Sequence, residues 1–313
     1  MPTIDDLHAA AERIRGLVHR TPTMSATGLG ELFGVRLYVK AETLQRTGSF
    51  KLRGALNAVL SLPDADRARG LVAISAGNHA AALAYAARAA GTTATIVMPA
   101  TANPAKIAAT ESYGGTVVLT EDVMLDAMES IRAERGLTLV HPFDDPNVVA
   151  GAGTVGLEIL EDVPEPDVVI VQVGGGGLIS GVATAVKSLR RNALVYGVEP
   201  EGADIVSRSL ASGTIETMRP ASVADGLCAP ISGVVTMPII RSLVTSVARV
   251  SDDDIRRALR LVLERTKLVV EGAGATGVAA LVAGAFDIPK GSTVVVVATG
   301  GNVDAPTLAR LLG

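Results

Sequence analysis

Val168-Val169-Ile170-Val171-Gln172-Val173-Gly174-Gly175-Gly176-Gly177-Leu178 is an apolar, β-branched run that empties into four consecutive glycines and then into a helix-forming stretch to Leu189. A continuous apolar strand of this kind belongs in a parallel sheet covered on both faces, because a strand with one wet face alternates instead. The same alternation of short strand and helix extends in both directions. Upstream lie Leu71 to Ile74 then Ala80 to Ala90, Thr95 to Met98 then Pro104 to Tyr113, and Val117 to Leu119 then Val123 to Arg135. Downstream lie Leu194 to Val198, and Thr293 to Ala298 then Ala305 to Leu312. The reading is an α/β chain of two lobes, each a largely parallel sheet flanked by helices. Thr3 with Asp6 and Ser251 with Asp254 have capping-box spacing and open amphipathic helices.

Four glycines after a buried strand leave a bare backbone that can wrap an anion, and the helix beginning near Leu178 adds unpaired N–H groups and the positive end of its dipole. A dinucleotide site stays open on spacing, since Glu199 lies at a compatible distance, although its glycines are normally spaced apart. The second element is Thr47-Gly48-Ser49-Phe50-Lys51-Leu52-Arg53-Gly54-Ala55. A lone lysine at a helix start is usually solvated. Beside Phe50, which can pack on a planar ring, and with a phosphate cradle elsewhere in the chain, Lys51 reads as a Schiff-base amine and then a base. An aldehyde tether plus a phosphate cradle is what pyridoxal phosphate requires.

Composition removes other classes. The 313 residues carry 28 Lys and Arg against 32 Asp and Glu, a net charge of -4, with no cluster of four or more basic residues. Nucleic acid is therefore not an expected partner. Cys228 is the only cysteine, which rules out an intrachain disulfide or cysteine zinc cluster and fits a reducing cytoplasm. It reads as a small buried residue. Mean hydropathy is +0.39, but the longest uncharged stretch, Gly272 to Phe286, is too short to span a bilayer. The acidic beginning Met1-Pro2-Thr3-Ile4-Asp5-Asp6 gives no expectation of an export signal.

Two further junctions carry candidate chemistry. In Ser75-Ala76-Gly77-Asn78-His79, backbone N–H groups at a helix start can hold a substrate carboxylate, and the Asn78 amide can bond a phenolic oxygen. His79 has no orienting acid in the sequence and reads as a structural helix-start residue. After the last strand, Thr299 offers a hydroxyl where a carboxylate would hold a pyridine ring protonated. That makes a weaker electron sink, suited to elimination more than to transamination.

These elements, in this order, resemble the fold-type II pyridoxal-phosphate enzymes, a fold like the tryptophan synthase β chain, and are most similar to threonine ammonia-lyases (threonine/serine dehydratases) and serine racemase. The matching text also includes Ile96-Val97-Met98-Pro99, His141-Pro142-Phe143-Asp144, Ala150-Gly151-Ala152-Gly153-Thr154, Ala224-Asp225-Gly226, Glu271-Gly272-Ala273-Gly274-Ala275 and Gly300-Gly301-Asn302. The resemblance implies Lys51 as the Schiff-base lysine and Phe50 beside the cofactor. It implies Asn78 on the ring hydroxyl oxygen, Gly174, Gly175, Gly176 and Gly177 with the Leu178 amide on the phosphate, and Thr299, where the family usually has serine, at the pyridine nitrogen. Ser75, Ala76, Asn78 and His79 would frame the substrate carboxylate.

It further implies a large cofactor-binding domain, residues 1–69 and 147–313, a small domain, 70–146, and a homodimer or homotetramer. Ala76 stands where serine racemase has a proton-exchanging serine, so poor racemisation is expected. Glu199-Pro200 matches a divalent-cation glutamate of some relatives, but Ile205 occupies the place of its partner aspartate and Asp204 is one residue early, so no metal is expected. Asp225 and Glu271 are candidates for the side-chain pocket, each equally readable as a cap or turn residue. The sequence stops soon after the Thr299 turn, so the C-terminal regulatory domain of biosynthetic threonine enzymes is not expected. The expected reaction is β-elimination of L-threonine or L-serine to a 2-oxo acid and ammonia. A 3-hydroxyaspartate or other hydroxy amino acid ammonia-lyase, a serine racemase, and a non-catalytic phosphate-ligand-binding protein are the alternatives.

Overall fold

The computed structural model describes residues 1–313 and contains ten strands. They are β1 Thr23–Ser25, β2 Arg36–Ala41, β3 Leu71–Ile74, β4 Ala94–Pro99, β5 Thr116–Thr120, β6 Thr138–Leu139, β7 Val168–Gln172, β8 Leu194–Pro200, β9 Ser246–Val250 and β10 Thr293–Ala298. Six form one sheet in the order β1-β2-β10-β7-β8-β9 and four form a second in the order β5-β4-β3-β6. Every pairing is parallel except β1 with β2.

The apolar strands serve two cores at once. In β7 and β10, Val168, Ile170, Val294, Val296 and Ala298 pack with the helices Asp252–Thr266 and Gly272–Val282. Their neighbours Val169, Val171, Val295 and Val297 point the other way, into a core with the helices Pro146–Asp162 and Gly177–Leu189. Period-two alternation sends successive side chains to opposite faces, so a strand buried on both is apolar along its length, with polar residues only at its ends, here Gln172 and Thr293.

The helix Lys51–Ser61 contributes Leu52, Ala55, Leu56 and Val59 to a third core, shared with Leu71, Ala73, Ile96 and Met98 of the four-stranded sheet and with the helix Asn78–Ala89. On its other side it lies against Pro146–Asp162, where a Cβ at Gly54 would come within 2.8 Å of the Val148 carbonyl. Glycine there lets the two backbones touch. Both capping boxes are formed, Thr3 with Asp6 and Ser251 with Asp254.

The connections after β3, β7 and β10 leave the C-terminal ends of parallel strands, where open α/β sheets place their ligands. Cys228 departs from expectation: it is half-buried, with its thiol 3.8 Å from the Ala224 carbonyl. It lies just after the short turn Asp225–Leu227. No helix is long and apolar enough to cross a membrane.

Candidate active site

Lys51 is the first residue of its helix, and its ammonium donates to the Pro142 carbonyl at 2.8 Å and lies 5.3 Å from the centre of the Phe50 ring. No carboxylate pairs with it. Burial brings its pKa down to about 8, with Glu271 partly opposing the fall. The amine is therefore closer to its reactive neutral form than an exposed lysine would be.

The glycine turn is walled on each side. A Cβ at Gly174 would come within 3.1 Å of the Leu227 carbonyl, one at Gly175 would run into the Phe143 ring, and one at Gly177 would come within 3.0 Å of Phe143 Cβ. Gly176 has φ of +94° and would bring a Cβ to 2.8 Å from Ile240, so it needs glycine for conformation as well as space. The N–H groups of Gly174 to Leu178 have no backbone acceptor. They are five donors gathered at the start of a thirteen-residue helix, an arrangement suited to a phosphate.

The asparagine loop is built the same way. Ser75 Oγ accepts from the N–H groups of Gly77 and Ala80, both at 3.2 Å, which leaves those of Ala76, Asn78 and His79 without a backbone acceptor. The His79 imidazole is 3% exposed and meets the Val140 carbonyl at 3.1 Å. Burial and the nearby Lys51 push its pKa to about 3. It is neutral and turned into the core, so what His79 offers at the helix start is its N–H.

Asn78 joins this loop to the β10 end of the large sheet. Its Nδ2 donates to Glu271 at 2.6 Å, and its Oδ1 accepts from Asn302 Nδ2 at 2.8 Å. Thr299 is buried, and its carbonyl accepts from the Phe50 N–H at 3.0 Å, which fixes the end of β10 beside the lysine. Glu271 is 4% exposed and is pushed up to about 7 by burial and by Asp225, against the Asn78 hydrogen bond. Asp225 itself is half-exposed and pairs with Lys106.

Glu199 lies elsewhere: its carboxylate accepts from the Val206 and Ser207 N–H groups and the Ser207 hydroxyl, while Asp204 pairs with Arg208 and Arg249. Burial raises Glu199 to about 7. Both carboxylates already have protein partners.

Lys51 and its neighbour Phe50 are thus tied to Thr299 by the Phe50 N–H bond, Asn78 reaches the same strand end through Glu271 and Asn302, and Phe143 links the glycine turn to Pro142 and the lysine. These residues fit pyridoxal phosphate: a buried amine without an acidic partner, a turn from which side chains are excluded and whose donors are free, and an asparagine at the cleft. Sequence reasoning gave no role to Pro142, Phe143, Asp144 or Asn302. His141-Pro142-Phe143-Asp144 stood out only as matching text, because contacts made across the fold leave no local pattern.

A family model described as pyridoxal-phosphate dependent enzyme matches residues 14–300. The chain is 42% identical to an L-threonine ammonia-lyase of Thermotoga maritima, with 100% of this chain and 78% of the relative covered. It is also 42% identical to an L-threo-3-hydroxyaspartate ammonia-lyase of a Pseudomonas species, with coverage of 98% and 97%. The structure of maize serine racemase superposes with a TM-score of 0.94 at 38% identity, covering 99% of this chain and 96% of that one.

Proposed function

This chain belongs to the family of pyridoxal-phosphate dependent enzymes, and on that footing we propose that it eliminates water and then ammonia from a hydroxy amino acid, with L-threonine and L-serine as substrates. Water leaves and water returns, so the net products are a 2-oxo acid and ammonia. Bound here, the cofactor supplies an electron sink for the pair left at the substrate Cα. Lys51 and Phe50, the Asn78 amide, the backbone of Gly174 to Leu178 and the Thr299 hydroxyl would hold it.

The rest is work for this chain's own residues. Lys51, with a pKa near 8, is neutral in roughly one molecule in ten at pH 7 and takes the Cα proton. The free N–H groups of Ala76, Asn78 and His79 orient the substrate carboxylate at the start of their helix. Ala76 carries no proton donor for the opposite face, which favours elimination over racemisation. The small domain, 70–146, brings this loop to the large one, 1–69 and 147–313. A homodimer or homotetramer in the cytoplasm completes the proposal.

The observation that carries the reading is the buried amine of Lys51, in no ion pair, with the Thr299 turn on one side and a helix start of free N–H donors on another. The purified protein should show a visible absorption band that borohydride and Lys51→Ala abolish, and should release 2-oxo acid and ammonia from L-threonine and L-serine. A colourless protein that cannot be reconstituted defeats it. The Pseudomonas relative supports a second reading, L-threo-3-hydroxyaspartate as substrate, which the same assay ranks. D-serine as the sole product would overturn the argument from Ala76.

A further inference from the structure

Adjacent aspartates at the junction between the two sheets serve two different helices. Asp145 caps its own helix, Pro146–Asp162, accepting from the Asn147 and Val148 N–H groups. Asp144 reaches across the molecule to the turn before the helix Thr236–Leu243. There its Oδ2 accepts from the Val234 N–H at 2.8 Å, and its Oδ1 accepts from those of Val235 at 2.7 Å and Thr236 at 3.3 Å. The approach is close enough that a Cβ at Gly233 would overlap the carboxylate.

Thr236 carries the contact onward. Its Oγ1 donates to the Gly175 carbonyl at 2.8 Å, and Gly175 is the second glycine of the candidate phosphate turn. In a trans peptide the carbonyl and the following N–H point in opposite directions. Tying the Gly175 carbonyl back to Thr236 therefore turns the Gly176 N–H away from it. The next peptide is held likewise, since the Gly176 carbonyl accepts from the Ser180 N–H at 3.0 Å.

We infer that Asp144 is a positioning residue for the phosphate site, acting through Thr236 on the Gly175 peptide. It touches no reacting atom. The inference rests on the cofactor reading above and adds to it Asp144, which acts through a segment 90 positions further along the chain. A glycine run is otherwise free to sample many conformations, and only those with donors converging can hold a phosphate.

The test compares two aldehydes on the cofactor-stripped full chain: pyridoxal phosphate and pyridoxal, which reacts with the same amine but has no phosphate. Thr236→Val removes the hydroxyl without altering residues 141–144. It should weaken pyridoxal phosphate on the order of tenfold, the equivalent of one hydrogen bond, and leave pyridoxal unchanged. Asp144→Ala should weaken pyridoxal phosphate by about tenfold to a hundredfold, a charged group being lost. The double variant should be no worse than Asp144→Ala, because both act on one chain of contacts.

Equal weakening of both aldehydes would mean that Asp144 only stabilises the fold, and additive effects would mean that Thr236 is not its relay; either overturns the inference. So does unchanged affinity for pyridoxal phosphate. A wild-type chain that takes up neither aldehyde would remove the cofactor reading itself, a result distinct from these.

Discussion

Replacing Arg53 by methionine should cost the protein about 3 to 4 kcal/mol, although its side chain bonds none of the candidate active-site residues. Two residues after Lys51 on the same helix, it is fully buried and bonds both carboxylate oxygens of Glu42 at 2.8 Å and both of Glu158 at 2.7 and 2.8 Å. Lys40, also fully buried, donates to Glu158 and to the Thr21 carbonyl, each at 2.6 Å. Burial alone would raise Glu42, but Arg53 outweighs it and holds the carboxyl below its usual range. Without Arg53, Glu42 must stay charged in the interior or take up a proton.

The second route sets the magnitude. Protonating a group of ordinary pKa 4.5 at pH 7 costs about 3.4 kcal/mol, within the range for breaking a buried pair from one side, ~3–5 kcal/mol. Arg53→Met with Glu42→Gln removes the stranded charge and should recover more than half of the loss. Arg53→Lys should not substitute, since an ammonium cannot bond two carboxylates bidentately. Urea unfolding followed by far-ultraviolet circular dichroism reads all three. A loss below about 1 kcal/mol, or a double variant no more stable than Arg53→Met, refutes the reasoning.

Two more outcomes follow from the site. Gly175→Ala drives a methyl group into the Phe143 ring and should cost about 1–3 kcal/mol and weaken the cofactor; adding Phe143→Ala should restore space but not the lost packing, so a cofactor titration in which Gly175→Ala behaves as wild type counts against the packed turn. Glu271 titrates near 7 in the fold and near 4.5 unfolded. Between those values the folded state holds the extra proton, and its contribution to stability falls as pH rises. His79, lowered from 6.5 to about 3, works in the opposite direction, so the comparison must be with Glu271→Gln. Relative to that variant, the wild type should lose up to about 3 kcal/mol from pH 4.5 to 7, and parallel stability curves would show that Glu271 is not buried as a neutral acid.

What the sequence disclosed was local. β7 and β10 announced themselves as unbroken β-branched runs, and the glycine turn and Lys51 helix start were visible because their chemistry lies in adjacent residues. β6, two residues long, carries no periodicity, and β1 exists only through its pairing with β2. The Lys40, Glu42, Arg53 and Glu158 cluster was illegible for another reason: each member reads as an ordinary surface charge until the fold brings distant segments together. Glu271 shows the middle case, flagged but ambiguous. It stands at a helix start, yet no capping bond forms there, and its side chain turns instead to Asn78.

β10 is the penultimate element of the chain, yet it lies between β2 and β7, pairing with both. A ribosome emits those two strands long before the one that separates them. Until then each carries an open edge of unpaired backbone groups, while β3 to β6 form a contiguous unit that can close unaided. The nascent large sheet thus stays adhesive until β10 emerges, and chaperone capture should concentrate on chains arrested before Thr293.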